Sequence, residues 1–351
     1  MVVVGADVHK RSHTFVAVDE VGRKLGEKTV TATSPGHIAA LMWAREQFGT
    51  DLVWGIEDCR NMSARLERDL LGAGQRVVRV PTKLMAQTRK SARVHGKSDP
   101  IDAQAVARAV LREPDLPVAS HDEVSRELKL LTDRRDVLVA QRTAATNRLR
   151  WSVHELDPEH APAPRSLKAP KNQQALQSWL GTVSGLVAEL AREELADIIR
   201  LSNEIASLDK RIGTRVADLA PTLLGIPGCG QLSAAKLLGE TAGVRRFKSE
   251  AAFACHAGVA PIPVWSGNTA GQMRLSRSGN RQLNTAIHRI ALTQIRMPAT
   301  AGHAYYQRLI ASGKTKPAAR RCLKRQIARR VFQALLTDHK TTEQVPVTTV
   351  A

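Results

Sequence analysis

In the stretch GKSDPIDAQAVARAVL, Asp99 and Asp102 stand three residues apart on either side of Pro100. Proline suits the first turn of a helix, so Asp99 is read as N-cap and Asp102 as facing the same side of that turn. Capping and helix-dipole complementarity are a sufficient account of the pair taken alone. Two further acids ask for more. Asp7 closes the apolar run VVVGAD, and Glu57 closes DLVWGIE with Asp58 directly after it. An acid ending a buried strand lies on the rim of a sheet, where open α/β sheets bind ligands. Four carboxylates meeting there would repel one another, and Mg2+ or Mn2+, which take hard oxygen ligands, would relieve that repulsion. Two such ions can clamp the attacking and leaving oxygens of a phosphodiester. Arg93 and Lys97, just upstream, are candidates for meeting that phosphate. Adjacent strand residues face opposite sides, so Glu57 and Asp58 compete for one place.

Serines offer a second chemistry. PIPVWSGNTAGQ and LSRSGN put Ser266 and Ser278 before a glycine. A nucleophilic serine needs exposure and an activating neighbour or metal. A tight turn uses the same dipeptide, and spacing does not separate the two. Upstream, LLGIPGCGQLSAAKLLGE matches a helix-hairpin-helix turn. There Gly228 and Gly230 would let backbone N–H groups approach a phosphate at a helix start. A plain interhelical turn has the same composition.

Charge narrows the partner. The 351 residues carry a formal net charge of +19, with a pI near 10.4, which points to a polyanion, most often nucleic acid. From Arg274 onward fifteen lysines and arginines face only Asp338 and Glu343. Arg274, Arg277, Arg281, Arg320, Arg321, Lys324 and Arg325 are therefore candidate contacts to nucleic-acid backbone, against solvated helix surface as the alternative. Five phenylalanines and two tyrosines leave few rings for base stacking. The four cysteines are scattered, which supports neither zinc binding nor a disulfide framework. No segment is apolar over the ~18 residues of a membrane span. MVVVGADVHK reads as a strand rather than a signal peptide, so a cytoplasmic, nucleoid-associated protein is expected.

The elements that must position these residues follow from periodicity. VVVGAD, HTFVAVD and KLGEKTVTA read as three strands. SPGHIAALMWAREQF reads as a helix with Ser34 as N-cap and Pro35 at its first position. Then come strand DLVWGIED, helix NMSARLERDLLGAG, strand QRVVRV and helix DPIDAQAVARAVL. This order implies a mixed α/β sheet. From Val124 to Leu156 there is neither glycine nor proline. Leu128, Leu131, Leu138, Ala145, Leu149 and Leu156 keep a heptad grid interrupted by Arg135, Arg142 and Ser152. After a proline-rich break a second stretch, 175–219, breaks near 181–185 and continues the period through Ile198, Leu201, Ile205, Leu208 and Ile212. Together they suggest a coiled-coil arm, either a hairpin or a dimerising pair, with an ordinary helical domain as the alternative. Two more basic helices are expected near 281–296 and 317–336.

GADVHK, GIED, GKSDPIDA, LLGIPGCGQLSA and FACHAGVAPIPVWSGNTAGQMRLSRSGNRQLN, in this order, resemble the DEDD transposases of the insertion sequence 110 family, relatives of the pilin-gene DNA invertases. The resemblance spans nearly the whole chain. It implies an α/β plus all-α fold in three parts. These are a ribonuclease H/RuvC-like mixed-sheet domain (1–118), a coiled-coil arm (119–220) and a C-terminal helical transposase domain (221–340), before a disordered tail (341–351). It implies a metal-binding tetrad of Asp7, Glu57, Asp99 and Asp102, with Glu57 preferred over Asp58 because the family has Glu there. It favours Ser266 as nucleophile, forming a phosphoserine link and a free 3′-hydroxyl, in a composite site completed by another subunit. It implies a dimer or tetramer, and a structured noncoding guide RNA that pairs with target and donor DNA. Two other readings use the same residues: a metal-dependent Holliday-junction resolvase without serine chemistry, and a non-enzymatic nucleic-acid-binding scaffold.

Overall fold

The computed structural model describes residues 1–57, 62–81, 84–85, 98–113, 116–120, 122–264, 272–275 and 279–344. They divide into two compact units, Met1–Asp122 with Ala242–Ala252, and Glu123–Thr241 with Phe253–Ala351.

The first unit is built on β1 (Val2–Val8), β2 (Ser12–Val18), β3 (Lys24–Thr31), α1 (Ser34–Phe48), β4 (Leu52–Glu57), α2 (Ala64–Gly72), β5 (Arg76–Val80) and α3 (Asp99–Arg112). The sheet order is β3-β2-β1-β4-β5. β2 runs antiparallel to β1 and β3, while β4 is parallel to β1 and β5. This is the mixed sheet expected of a ribonuclease H-like domain.

Strand alternation sorts the core into two layers. Val4, Ala6, Val8, Trp54 and Ile56 pack with Ala40, Trp43, Leu66 and Leu70 of α1 and α2. Val3 and Val53 face the other way, onto Ala103 and Ala107 of α3. Two glycines on that second face bring α3 close. A Cβ on Gly5 would lie 2.0 Å from the Ala103 carbonyl oxygen, and one on Gly55 2.7 Å from Val110 Cγ2. The alanine-rich inner side of α3 is the matching surface.

Both helix starts differ by one residue from the sequence expectation. Thr33, not Ser34, caps α1, accepting the Gly36 N–H at 3.3 Å. Ser98 precedes α3, and Asp99 is the first helical residue rather than the cap. In both cases Pro35 or Pro100 takes the second position of the helix, so the sequence rule placed the boundary one residue late.

The second unit holds α4 (Glu123–Leu156), α5 (Pro170–Leu180), α6 (Leu186–Leu219), the short α7 (Pro221–Leu224) and α8 (Gln231–Thr241). The chain passes between units within α9 (Glu250–His256). It continues as the hairpin β6 (Pro261–Val264) and β7 (Gln272–Leu275), then α10 (Arg281–Ile295), α11 (Ala301–Ala311) and α12 (Lys316–Gln344). α11 has no counterpart in the sequence reading. α12 carries helix four residues into the stretch expected as tail.

The arm is a hairpin within one chain. Leu138, Leu201, Ile205 and Leu208 form one seam cluster, and Ala145, Leu149, Leu195 and Ile198 belong to another. Two of the three residues that interrupt the heptads reach across, while Ser152 bonds back to the Arg148 carbonyl of its own helix. Arg135 Nε donates to Asp209 at 2.5 Å and Arg142 Nη1 to the Ser202 hydroxyl at 3.3 Å. Arg148 makes a two-pronged contact with Glu194 at 2.5 and 2.9 Å. Partner numbers fall as the arginine numbers rise, which defines an antiparallel pair.

Candidate active site

The register of β1 and β4 aligns Gly5 with Gly55 and Ala6 with Ile56. Asp7 and Glu57 follow at the same end of neighbouring strands. Each lies two residues beyond a glycine that faces α3, so both face α3. Ala103 sits over Gly5, and the helix turn before it carries Asp99 and Asp102. The parity of Gly55 thus puts Glu57, at the last position of its strand, on the side of the acids. Asp58 lies outside the described residues.

Asp7 is buried, Asp99 exposed, and Glu57 and Asp102 half-buried. Burial pushes the Asp7 carboxyl above the ordinary carboxylate range, and the charges of Asp102 and Asp99 add to that rise. His9 opposes it: its Nε2 lies 3.1 Å from Asp7 Oδ2 and 3.4 Å from Asp99 Oδ1. One ligand atom from each of Asp7, His9 and Asp99 lies within 4.8 Å of the others. These hard carboxylate oxygens, converging from a strand end and a helix start, fit a divalent cation.

His9 was not singled out by the sequence reading, although GADVHK contains the signal. It is two residues past Asp7, so alternation returns it to the same side. The sequence reading stopped at the acids because a carboxylate at a strand end is conspicuous and a half-exposed histidine after it is not.

In the second unit the glycines of the GIPGCG turn separate. Gly228 has φ +81°, and a Cβ there would lie 3.0 Å from Thr293 Cβ and 3.3 Å from the Ile290 carbonyl. Its lack of a side chain is required by the turn and by packing on α10. A Cβ on Gly230 would meet nothing within 4 Å, which leaves open backbone directly before α8. Arg274 and Arg281 are exposed, and Arg320, Arg321 and Arg325 half-buried. Lys324, read from sequence as a surface cation, is buried. Its Nζ donates to Asn284 Oδ1 at 2.6 Å, and burial lowers its pKa, with Arg320 contributing. Asn284 in turn donates to the carbonyls of Ala257 and Gly258, both at 3.0 Å, so the lysine braces the turn before β6. Arg93, Lys97, Ser266, Ser278 and Arg277 lie outside the described residues.

Two family models match the chain. A transposase model, of the DEDD type of IS110, matches residues 4–158. A second, for transposases of the IS116/IS110/IS902 family, matches residues 220–307. The chain belongs to the IS110 family of transposases. The uncharacterized 42 kDa protein of insertion element IS900 from Mycobacterium paratuberculosis is 28% identical over 95% of both chains. The 44.8 kDa protein of IS116 from Streptomyces clavuligerus is 27% identical over 87% of each. Among solved structures, T. thermophilus RuvC in complex with a Holliday junction substrate matches 34% of this chain and 99% of its own, at 13% identity and a TM-score of 0.27. Membership of the family makes the protein a DNA transposase, an enzyme of insertion-sequence mobility. Among the described residues no helix is long and apolar enough to cross a membrane.

Proposed function

We propose that this transposase cuts and rejoins DNA at a divalent-metal site formed by Asp7, Glu57, Asp99 and Asp102, with Ser266 as the attacking nucleophile. The observation that carries the metal site is the convergence of Asp7 and Asp99 oxygens at the sheet rim, on the face that Glu57 shares. The Asp7 carboxyl is raised above the ordinary carboxylate range first by burial, and the charges of Asp102 and Asp99 add to that rise, which supports this reading. Mg2+ or Mn2+ bound there would neutralise the carboxylates and stabilise charge on the phosphoryl oxygens. Asp7 and Glu57 hold their oxygens on rigid strand ends, and Asp99 and Asp102 add theirs from the first turn of α3. In the reaction the Ser266 oxygen bonds to phosphorus as the bond to the 3′-oxygen breaks. The serine proton is lost and the leaving oxygen gains one, which leaves a phosphoserine link and a 3′-hydroxyl that can rejoin a new partner. Arg93 and Lys97 contact the phosphate being cut. Gly230, Arg274, Arg277, Arg281, Arg320, Arg321 and Arg325 hold nucleic-acid backbone.

We further infer a structured noncoding guide RNA and a homo-oligomer, dimer or tetramer, on the ground of family membership and the +19 charge. The division into a RuvC-like domain, an arm, a C-terminal transposase domain and a tail belongs to the same reading.

Asp102→Asn tests the metal site. DNA cleavage in Mg2+ should fall by more than about 100-fold, since removing even a supporting residue of a metal site costs that order. Unchanged cleavage would remove the acids from the reaction. Ser266→Ala tests the nucleophile: strand exchange and the protein–DNA covalent link should both disappear. Cutting with strand exchange retained would favour a resolvase-like mechanism without serine chemistry. A gel shift with RNA transcribed from the DNA flanking the gene tests the guide. Binding no tighter than to an unrelated RNA of equal length would contradict it.

A further inference from the structure

We propose that His9 is a fifth ligand of this site and gives its divalent ion one nitrogen donor among carboxylate oxygens. The proposal rests on the four-acid reading above. Its ground is the placement of one ring atom. His9 Nε2 lies 3.1 Å from an oxygen of Asp7 and 3.4 Å from an oxygen of Asp99, so it stands between a strand-borne and a helix-borne carboxylate. Neighbouring ligands on an octahedral ion with bonds near 2.1 Å are separated by roughly 3 Å. The two measured separations are close to that spacing, and the three ligand atoms fit together around one ion. The ring is held from outside the strand, with its side chain 49% exposed. It can therefore keep its place while an ion and its remaining waters enter from solvent.

A nitrogen ligand changes what the site prefers. Mg2+ favours oxygen donors and dehydrates reluctantly, whereas imidazole suits first-row transition ions. His9 therefore biases the site toward Mn2+ over Mg2+. The competing role is that of a resident cation: a charged ring that bridges the two carboxylates and is expelled when the metal arrives. The two roles predict opposite effects of removing the ring. A ligand's loss weakens metal binding, and a competitor's loss strengthens it.

The experiment is titration of the full chain with MnCl2 followed by electron paramagnetic resonance, with Mg2+ competition on the same samples. In the wild type, pulsed spectra should show 14N coupling from a directly bound imidazole. His9→Ala should abolish that coupling and weaken Mn2+ binding about tenfold or more. His9→Gln supplies a neutral oxygen donor in place of nitrogen, and it should narrow the preference for Mn2+ over Mg2+. His9 lies beyond the end of β1 and is half exposed, and thermal melts of both variants check that they fold. Unchanged or tighter Mn2+ binding by His9→Ala, without 14N coupling in the wild type, overturns the ligand role while leaving the acids in place. A wild type that binds Mn2+ no better than Asp7→Asn overturns the four-acid reading and this proposal with it.

Discussion

Glu240 and Asp7 are equally buried, each 8% exposed, and their surroundings differ in kind. Glu240, on α8 of the second unit, receives Lys129 Nζ at 2.8 Å on one oxygen and Asn280 Nδ2 at 2.6 Å on the other. Two other buried charges of the second unit, Lys236 and Asp338, follow the same pattern. Lys236 Nζ donates to Asp136 at 2.5 Å, and Asp338 accepts the backbone N–H groups of Thr222 and Leu223 at 2.9 and 3.1 Å. Asp7, in the first unit, has its pKa raised first by burial and further by Asp102 and Asp99, with His9 opposing the rise. Charges that hold a fold together are neutralised by the fold. Asp7, in the proposed metal site, has like charges beside it instead, an arrangement that a bound cation would stabilise.

That contrast predicts opposite signs for the same operation. Glu240→Ala leaves Lys129 with Asp133 as its remaining partner at 2.8 Å and takes the acceptor from Asn280 Nδ2, so it should destabilise the protein by about 2 kcal/mol, read as a lower urea midpoint. A loss within ±0.5 kcal/mol would show that the paired network is decorative.

Buried His13 shows a charge disfavoured first by burial and then by the neighbouring His37. It is 2% exposed, stacks on His37 at 5.1 Å, and burial depresses its pKa from 6.5 to about 4. The unfolded chain binds a proton between those values and the folded protein does not. Stability is thus full above pH 6.5 and falls as pH drops toward 4, by up to about 3 kcal/mol. Denaturant midpoints at pH 7 and pH 4.5 measure it, and His13→Phe should flatten the dependence. The smallest effect belongs to the arm. Asp209 is half exposed, so Arg135→Ala should cost no more than about 1 kcal/mol despite its 2.5 Å contact. A loss several times larger would move that pair into the class of Glu240.

The order of strands and helices along the chain, the helix that carries Asp99 and Asp102, and the strand ends that carry Asp7 and Glu57 were all legible from apolar periodicity and turn residues, whereas the strand order within the sheet was not. Side-chain direction at the site was legible only in part. Gly5 and Gly55 look like ordinary strand glycines until α3 is seen lying on them, and it is their parity that faces Glu57 toward Asp7. Asp99, read as the cap, is the first helical residue, and Ser98 holds the N-cap position without a side-chain capping bond, because proline fits the second helical position as readily as the first. Arg135 and Arg142 read as faults in a heptad, since periodicity along one helix does not reveal Asp209 and Ser202 across from them. Lys324 read as surface charge for the same reason: a basic run says nothing about which of its members turns inward to Asn284.

The most direct test of the account is the thermal melt of Asp7→Asn against the wild type, with and without Mn2+. A carboxyl whose folded-state pKa is raised destabilises the fold once ionised, and this loss sets in as pH rises through that value. At pH 7 without metal the variant should therefore melt above the wild type. Saturating Mn2+ should reverse the order, stabilising the wild type by about 2.7 kcal/mol at a hundredfold excess over its dissociation constant and leaving the variant where it was. A variant that melts lower without metal, and still gains as much from Mn2+, would contradict the claim that the acids at the sheet rim form a metal site.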